Sequence, residues 1–463
     1  MSDTRELLRR TAELAADFLD SLDDRPVFPR ATVDELRAAL RMPLQDEPLD
    51  PAEVVEELAA AAEPGLVAMP SGRYFGFVIG GALPAALAGD WLTSAWDQNA
   101  GLYVGGPSAS VVEQVVREWV CDLLGLPEHS SIGLVTGTQM GSVTALAAAR
   151  FRVLERAGWD VGRDGLAGGP RVRVLVGDKR HVTIDRALRL LGLGAPTSVA
   201  ADDQGRMDVG ALRAALEVEE APTIVCAQAG EVNTGAFDPF EQIAALSSEH
   251  GAWLHVDGAF GLWAAASPRL GHLVKGVGRA DSWITDAHKW LNVPYDSALV
   301  LCSDVEAHRA AMTVSASYLI QDETRVVRDQ VDWVPEFSRR ARGFAVYAAL
   351  RSLGRNGLAE LVERTCDCAK RFAKEIVDLP GVEVVNDVVL NQVLFRFDTD
   401  EQTDEVLRAV QDTGDVWMSG TTWDGRRAIR ISVSNWQTTE QEIELALRSF
   451  RAAVQAPAQA PAR

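Results

Sequence analysis

Residues 251–260 read GAWLHVDGAF and residues 281–302 read DSWITDAHKWLNVPYDSALVLC, and these two stretches decide the fold. In the first, a run of large apolar residues ends on Asp257 and a glycine turn, the pattern of a buried strand whose carboxyl end opens on a loop. Open α/β sheets bind ligands at that end. A buried aspartate is costly unless it is paired or hydrogen-bonded, and alone it would read as a turn cap. In the second stretch, Lys289 stands between His288 and Trp290 in an apolar, proline-bounded setting. A desolvated lysine is a competent amine nucleophile toward an aldehyde. The bland reading is a lysine snorkelling from a surface loop, and Asp257 upstream weighs against it.

Outward from these stretches, residues 110–305 alternate helical runs (VVEQVVREWVCDLLG, SVTALAAARFRVLERAG, FEQIAALSSEHG) with short β-branched runs (RVRVLVG, TIVCAQ, WLHVD, SALVLC). That alternation predicts an open, mostly parallel α/β sheet. Residues 4–23 and 33–41 have amphipathic helical spacing, with Thr32 and Glu35 forming a capping box. After about residue 345 a long helix is followed by VEVVND, QVLFRFD, TDEVLRAVQD, AIRISVS and a last helix, which predicts a small α+β unit. The division is therefore an N-terminal helical segment (1–72), a large domain (73–345), a small C-terminal domain (346–453) and a disordered tail (454–463).

Composition narrows the function. Lys and Arg total 45 against 66 Asp and Glu, a net charge of −21, so neither a nucleic acid nor an anionic membrane is an expected partner. No run is long and apolar enough to span a bilayer, and the opening segment is charged, unlike a secretory signal. The cytoplasm is the expected compartment. The five cysteines are scattered and odd in number, which predicts free thiols. Cys366 and Cys368 point to different faces of a helix and cannot easily share a metal, and no metal site is expected.

Further motifs surround the first two. GLVTGTQMGSVTALAAAR (133–150) is a strand, a glycine turn and an Ala-rich helix, whose free N–H groups and positive dipole end suit a phosphate at Gly137, Thr138 and Gln139. His181 opens a helix in DKRHVTIDRALRLLGLG. In AQAGEVNTGAFDPFEQIA, Asn233, Thr234 and Gly235 shape a turn, and Asp238 is expected to cap the helix that begins at Pro239.

His255, Asp257, Ala259 and His288-Lys289-Trp290, with Ser282 spaced as in Ser-x-x-x-x-x-His-Lys, resemble the motif of the group II amino-acid decarboxylases that depend on pyridoxal 5'-phosphate (PLP). The resemblance runs from about Arg73 to Gln437. It implies an α/β fold of PLP fold type I, with a mostly parallel seven-stranded sheet flanked by helices. By that resemblance Lys289 holds PLP as a Schiff base, Asp257 pairs with the pyridine nitrogen, Ala259 lies against the ring, and His288 reaches the phosphate. His181 stacks on the ring, and Asn233 and Thr234 face the cofactor. Ser142 departs from the family, which often has Asn there, and that puts its phosphate contact in doubt.

Cofactor motifs do not choose the reaction, because the protein decides which α-carbon bond breaks. Tyr318, in the polar stretch VSASYLIQDETRVVRDQVDW, sits where these decarboxylases carry a loop tyrosine that protonates the α-carbon; relatives that consume oxygen and release aldehydes typically have Phe there. The expected reaction is decarboxylation of an L-amino acid to the amine and CO2. The alternatives are an aminotransferase or oxygen-dependent aldehyde synthase on the same fold, and a non-catalytic homologue acting as regulator or partner. Tyr74, Phe75, Phe77, Trp96 and Asn99 are the expected substrate-pocket residues, favouring an aromatic or other largely apolar side chain. Arg430 reads as a strand arginine paired within the fold, with a substrate carboxylate as the other reading. A homodimer is expected from the family.

Overall fold

A computed structural model describes residues 4–313 and 328–455. Its large sheet has seven strands: β1 (Ser131–Val135), β2 (Arg173–Gly177), β3 (Thr197–Val199), β4 (Thr223–Gln228), β5 (Trp253–Asp257), β6 (Ser282–Asp286) and β7 (Ala298–Cys302). Their order is β1-β7-β6-β5-β4-β2-β3, and only β7 runs antiparallel to its neighbours. Every residue of β1, β2, β4, β5, β6 and β7 is buried. Strands covered on both faces carry unbroken apolar runs rather than alternation, which is why the sequence shows them so plainly.

β6 is the strand that its composition hides. It carries Ser282, Thr285 and Asp286, polar residues that argue against a buried strand until their partners are known. Ser282 Oγ accepts the Trp253 indole N–H at 2.9 Å and lies 3.0 Å from His255 Nδ1, so the hydroxyl is satisfied across two strands.

A second, antiparallel sheet comprises β8 (Glu383–Val384), β9 (Gln392–Arg396), β10 (Ser419–Trp423) and β11 (Arg426–Ser432), in the order β10-β11-β9-β8. It has a core of its own around Phe372, Phe395, Ile429 and Phe450. Phe75 is fully buried in that core, its N–H donating to Trp417 O, so it is packing rather than pocket. The helix Gly343–Ile376 joins the two sheets, bending at Gly354 (φ 60°).

The N-terminal helices are α1 (Thr4–Asp20), α2 (Val33–Leu40) and α3 (Pro51–Ala62), and none contains a buried residue. The capping box at Thr32 and Glu35 is present. Two further helices, α4 (Pro84–Trp96) and α5 (Pro107–Leu124), precede β1. All five cysteines are free and buried. Among the described residues no helix is long and apolar enough to cross a membrane, and no cluster of metal-ligating side chains occurs.

His255 and His308 are completely enclosed, and burial pushes each imidazole down to a pKa of about 3. Unfolded, each takes up a proton near pH 6.5. The folded-state pKa lies below the unfolded one, so this stabilisation is complete above about pH 6.5 and is lost as pH falls toward 3. Each histidine should cost about 1.4 kcal/mol per pH unit below 6.5. Equilibrium urea unfolding should therefore show a midpoint that drops between about pH 6.5 and 5; a flat midpoint there contradicts the account.

Candidate active site

The carboxyl ends of β1, β2, β4, β5 and β6 lie at one edge of the large sheet, and the conspicuous polar residues gather there. Asp257 ends β5. Its carboxylate has one hydrogen bond from the described residues, accepted by Oδ1 from Ala259 N at 3.1 Å. Burial pushes this carboxyl above its ordinary range, and the nearby His181 and Lys289 act against that rise. Asp257 thus has acceptor capacity left for an N–H donor.

Asp286 ends β6, beside it. Oδ1 accepts Thr138 N at 2.7 Å and Oδ2 accepts the Thr138 hydroxyl at 2.8 Å. Lys289 Nζ makes a 2.9 Å ion pair with Oδ2, and His288 Nε2 is 3.4 Å from Oδ1. Burial works to raise this carboxyl, but the charges and hydrogen bonds of its partners outweigh burial and hold it below the usual range. Lys289 is therefore not the unaccompanied amine its aromatic neighbours suggest. Its partner lies three residues upstream, in TDAHK.

His288 is locked as a neutral imidazole. Its Nδ1 accepts Ser297 N–H at 3.1 Å, its ring packs on Tyr295 at 4.4 Å between centroids, and burial pushes its pKa down. Gly80 comes so close that a Cβ there would stand 1.7 Å from the Lys289 carbonyl oxygen. Glycine is required at that crossing.

α6 (Thr138–Arg156) begins at the cradle, with Gly137 as its N-cap. Gln139 Nε2 reaches Thr183 O at 3.2 Å, tying this helix start to the segment that carries His181. Ser142 spends its hydroxyl on Thr138 O inside the helix. His181 caps the helix Val182–Leu190 through Nδ1, 2.9 Å from the Thr183 hydroxyl. Burial lowers its pKa, Asp257 opposes, and Lys289 and Arg430 add to the lowering, so the ring is neutral beside two cations.

Other expected residues are placed differently. Asn233 and Thr234 donate to the buried Glu231 carboxylate, and Asn233 Oδ1 accepts from Thr421 of the small sheet at 3.0 Å, so they form a joint between the sheets. Asp238 does not cap a helix: its carboxylate accepts Met207 N and Gln228 N, both at 2.7 Å, and so ties the end of β4 to the segment before the helix at Val209. Arg430 is buried, donates to Val232 O at 3.2 Å, leaves Nε without a partner, and pairs with no carboxylate among the described residues. Tyr74 stacks on Trp417 at 5.1 Å and Phe77 packs on the same indole at 5.4 Å, with Phe77 56% exposed. Trp96, 48% exposed, packs against Phe344, and Asn99 Oδ1 caps Gly101 N; neither touches the Lys289 group. Tyr318 lies outside the described residues.

A family model described as the pyridoxal-dependent decarboxylase conserved domain matches residues 34–398. The chain belongs to that decarboxylase family. It is similar to tryptophan decarboxylase 1 of Oryza sativa subsp. japonica, 27% identical over 478 residues, with 96% of this chain and 92% of that protein covered. It is also similar to phenylacetaldehyde synthase of Arabidopsis thaliana, 25% identical over 466 residues, covering 95% of this chain and 93% of that one. The solved structure of Oryza sativa TDC with PLP and tryptamine matches at a TM-score of 0.91 and 25% identity, covering 98% and 97% of the two chains.

The protein is thus a PLP-dependent amino-acid decarboxylase. The residues at the sheet edge fit PLP: an amine, a buried carboxylate with spare acceptor capacity, and a helix start with N–H groups. When bound, PLP supplies an electron sink for the bond broken at the substrate α-carbon. Because Gly80 sets where the Lys289 backbone lies, Gly80→Ala should displace the amine. A misplacement of about 1 Å can cost on the order of 100-fold in rate. The variant should show a comparable loss of turnover and weaker uptake of PLP in an absorbance titration; normal uptake would show that the crossing tolerates a methyl group.

Proposed function

We propose that this decarboxylase converts an L-amino acid with an aromatic or other largely apolar side chain to its amine, with Lys289 as the residue that binds PLP covalently. The observation that carries the reading is the convergence of Lys289, Asp257 and His181 at the carboxyl ends of β6, β5 and β2, three strands of one parallel run, close enough that Asp257 and Lys289 both act on the His181 imidazole. Asp257 holds a negative charge against the ring nitrogen and so keeps the ring protonated. His181, neutral and flanked by cations, lies on the ring face. Gly137, Thr138, Gln139 and His288 receive the phosphate, and Ala259 leaves room beneath the ring.

Arg430 is assigned to the substrate's carboxylate, since it is buried, leaves Nε without a partner and makes no ion pair among the described residues, Glu231 acting on it only at longer range. Tyr318 is assigned the proton transfer to the α-carbon, on sequence grounds alone. The apolar preference rests on Tyr74, Phe77 and Trp417, whose rings stack beside the segment that crosses Lys289. The relatives' printed names point the same way, to tryptophan as a substrate and phenylacetaldehyde as a product.

A homodimer in the cytoplasm completes the reading. Its support is apolar surface left exposed among the described residues: Leu8, Leu44 and Leu58 on or beside α1–α3, and Trp91, Leu92 and, in part, Trp96 on α4. Such faces need a cover, and a second copy places the same face on both sides.

A panel of amino acids incubated with PLP-loaded protein, with products weighed by mass spectrometry, tests this directly. Release of CO2 and an aromatic amine is expected, and keto acid or aldehyde with peroxide would refute it. Lys289→Ala should lose turnover, and Tyr318→Phe should lose about 100-fold or more in amine formation, the scale of a general acid, with product diverted toward aldehyde.

A further inference from the structure

The cradle assigned to the cofactor's phosphate already holds an anion. Asp286 turns both carboxylate oxygens onto Thr138, the first residue of α6. The positive end of that helix is what suits it to a phosphate, so a phosphate seated there meets a carboxylate at the same helix start. Two like charges sharing a buried site do not both stay ionised.

The groups facing Asp286 show where relief must come from. Lys289 is the one cation in contact among the described residues, at 2.9 Å. His288 cannot become a second, because the Ser297 N–H occupies Nδ1 and burial disfavours the charged ring. Tyr295 stays a neutral phenol, its pKa pushed up to about 12 by burial and by Asp286 itself. Thr138, from α6, carries no charge. At longer range Asp257 adds a negative charge, and His181 is neutral. Lys289 must give up its ammonium proton before its lone pair can attack an aldehyde.

We propose that Asp286 takes the proton of the Lys289 ammonium as the cofactor seats and then keeps it, so that the phosphate lies against a neutral carboxylic acid. The N–H bond of the ammonium breaks and an O–H bond forms on Oδ2. The amine's lone pair then makes the new carbon–nitrogen bond, and the carbonyl oxygen leaves as water with the amine's two remaining protons. The inference rests on the PLP reading of Lys289. It makes Asp286 the proton acceptor of cofactor loading and couples retention to pH. Raising the pH strips the acid, restores the carboxylate against the phosphate and loosens the cofactor.

The test uses the full chain stripped of cofactor, titrated with PLP and separately with pyridoxal, which has the same ring and aldehyde but no phosphate. In wild type the Kd for PLP should rise by up to about tenfold per pH unit through the alkaline range, as loss of one proton requires. Asp286→Asn should flatten that rise and bind PLP about tenfold more tightly at its alkaline end, where solvent base replaces the missing acceptor and pyridoxal should be bound alike by both chains. A measurement that needs no variant is the infrared difference spectrum of PLP-loaded minus stripped wild type, which should contain a deuterium-sensitive band of a protonated carboxyl group. The proposal is overturned if Asp286→Asn binds PLP no more tightly at alkaline pH, if it weakens PLP and pyridoxal equally, or if the carboxyl band is absent. If wild type takes up no PLP at all, the assignment of Lys289 fails, and this inference with it.

Discussion

The hydrogen-bond register of β4, β5 and β6 is the constraint on which the rest of the site depends. Gln228 pairs with Asp257, and Asp257 pairs with Ile284, two residues before Asp286. Side chains alternate along a strand, so a slip of one residue would turn both carboxylates to other faces. Asp286 meets the start of α6 only in this register, and Lys289 meets Asp286 only because the turn after β6 folds back on it. The buried charges are tolerable because each has a partner within hydrogen-bonding distance.

The small sheet fixes the open side of the site. Lys179, two residues before His181, reaches Asp424 at 2.6 Å and lies over the Trp423 ring at 4.4 Å. Asn233 meets Thr421, and Arg430 on β11 meets Val232. Through these contacts the loop carrying His181 is held from the β10–β11 side, while Gln139 holds it from α6. The imidazole is therefore positioned by both sheets at once, and the N-cap it supplies orients the ring locally.

Electrostatics give the two strand-end aspartates different work. Asp257 is raised by burial and has few hydrogen bonds, so it has most to gain from a cationic N–H partner. Asp286 is held down by a lysine, a histidine and a helix start, and loses that support if its lysine reacts. Environments that push neighbouring titratable groups apart are how one fold separates acid from base.

Much of this was legible in the sequence. The fold class follows from unbroken apolar strands alternating with helices, and Lys289, Asp257, His181 and the start of α6 are visible because each breaks or ends such a run. Local patterns report which residues are buried and where chain direction changes. They do not report partners. Tertiary structure alone made Phe75 a core residue of the small sheet, took the Asp238 carboxylate from a helix cap to the backbone N–H groups of Met207 and Gln228, and put Trp417 beneath Tyr74 and Phe77. It also left Arg430 without an ion pair among the described residues and gave Lys289 its partner in Asp286. Each of those outcomes joins segments far apart in the chain or depends on how a turn closes, and periodicity carries no information about either.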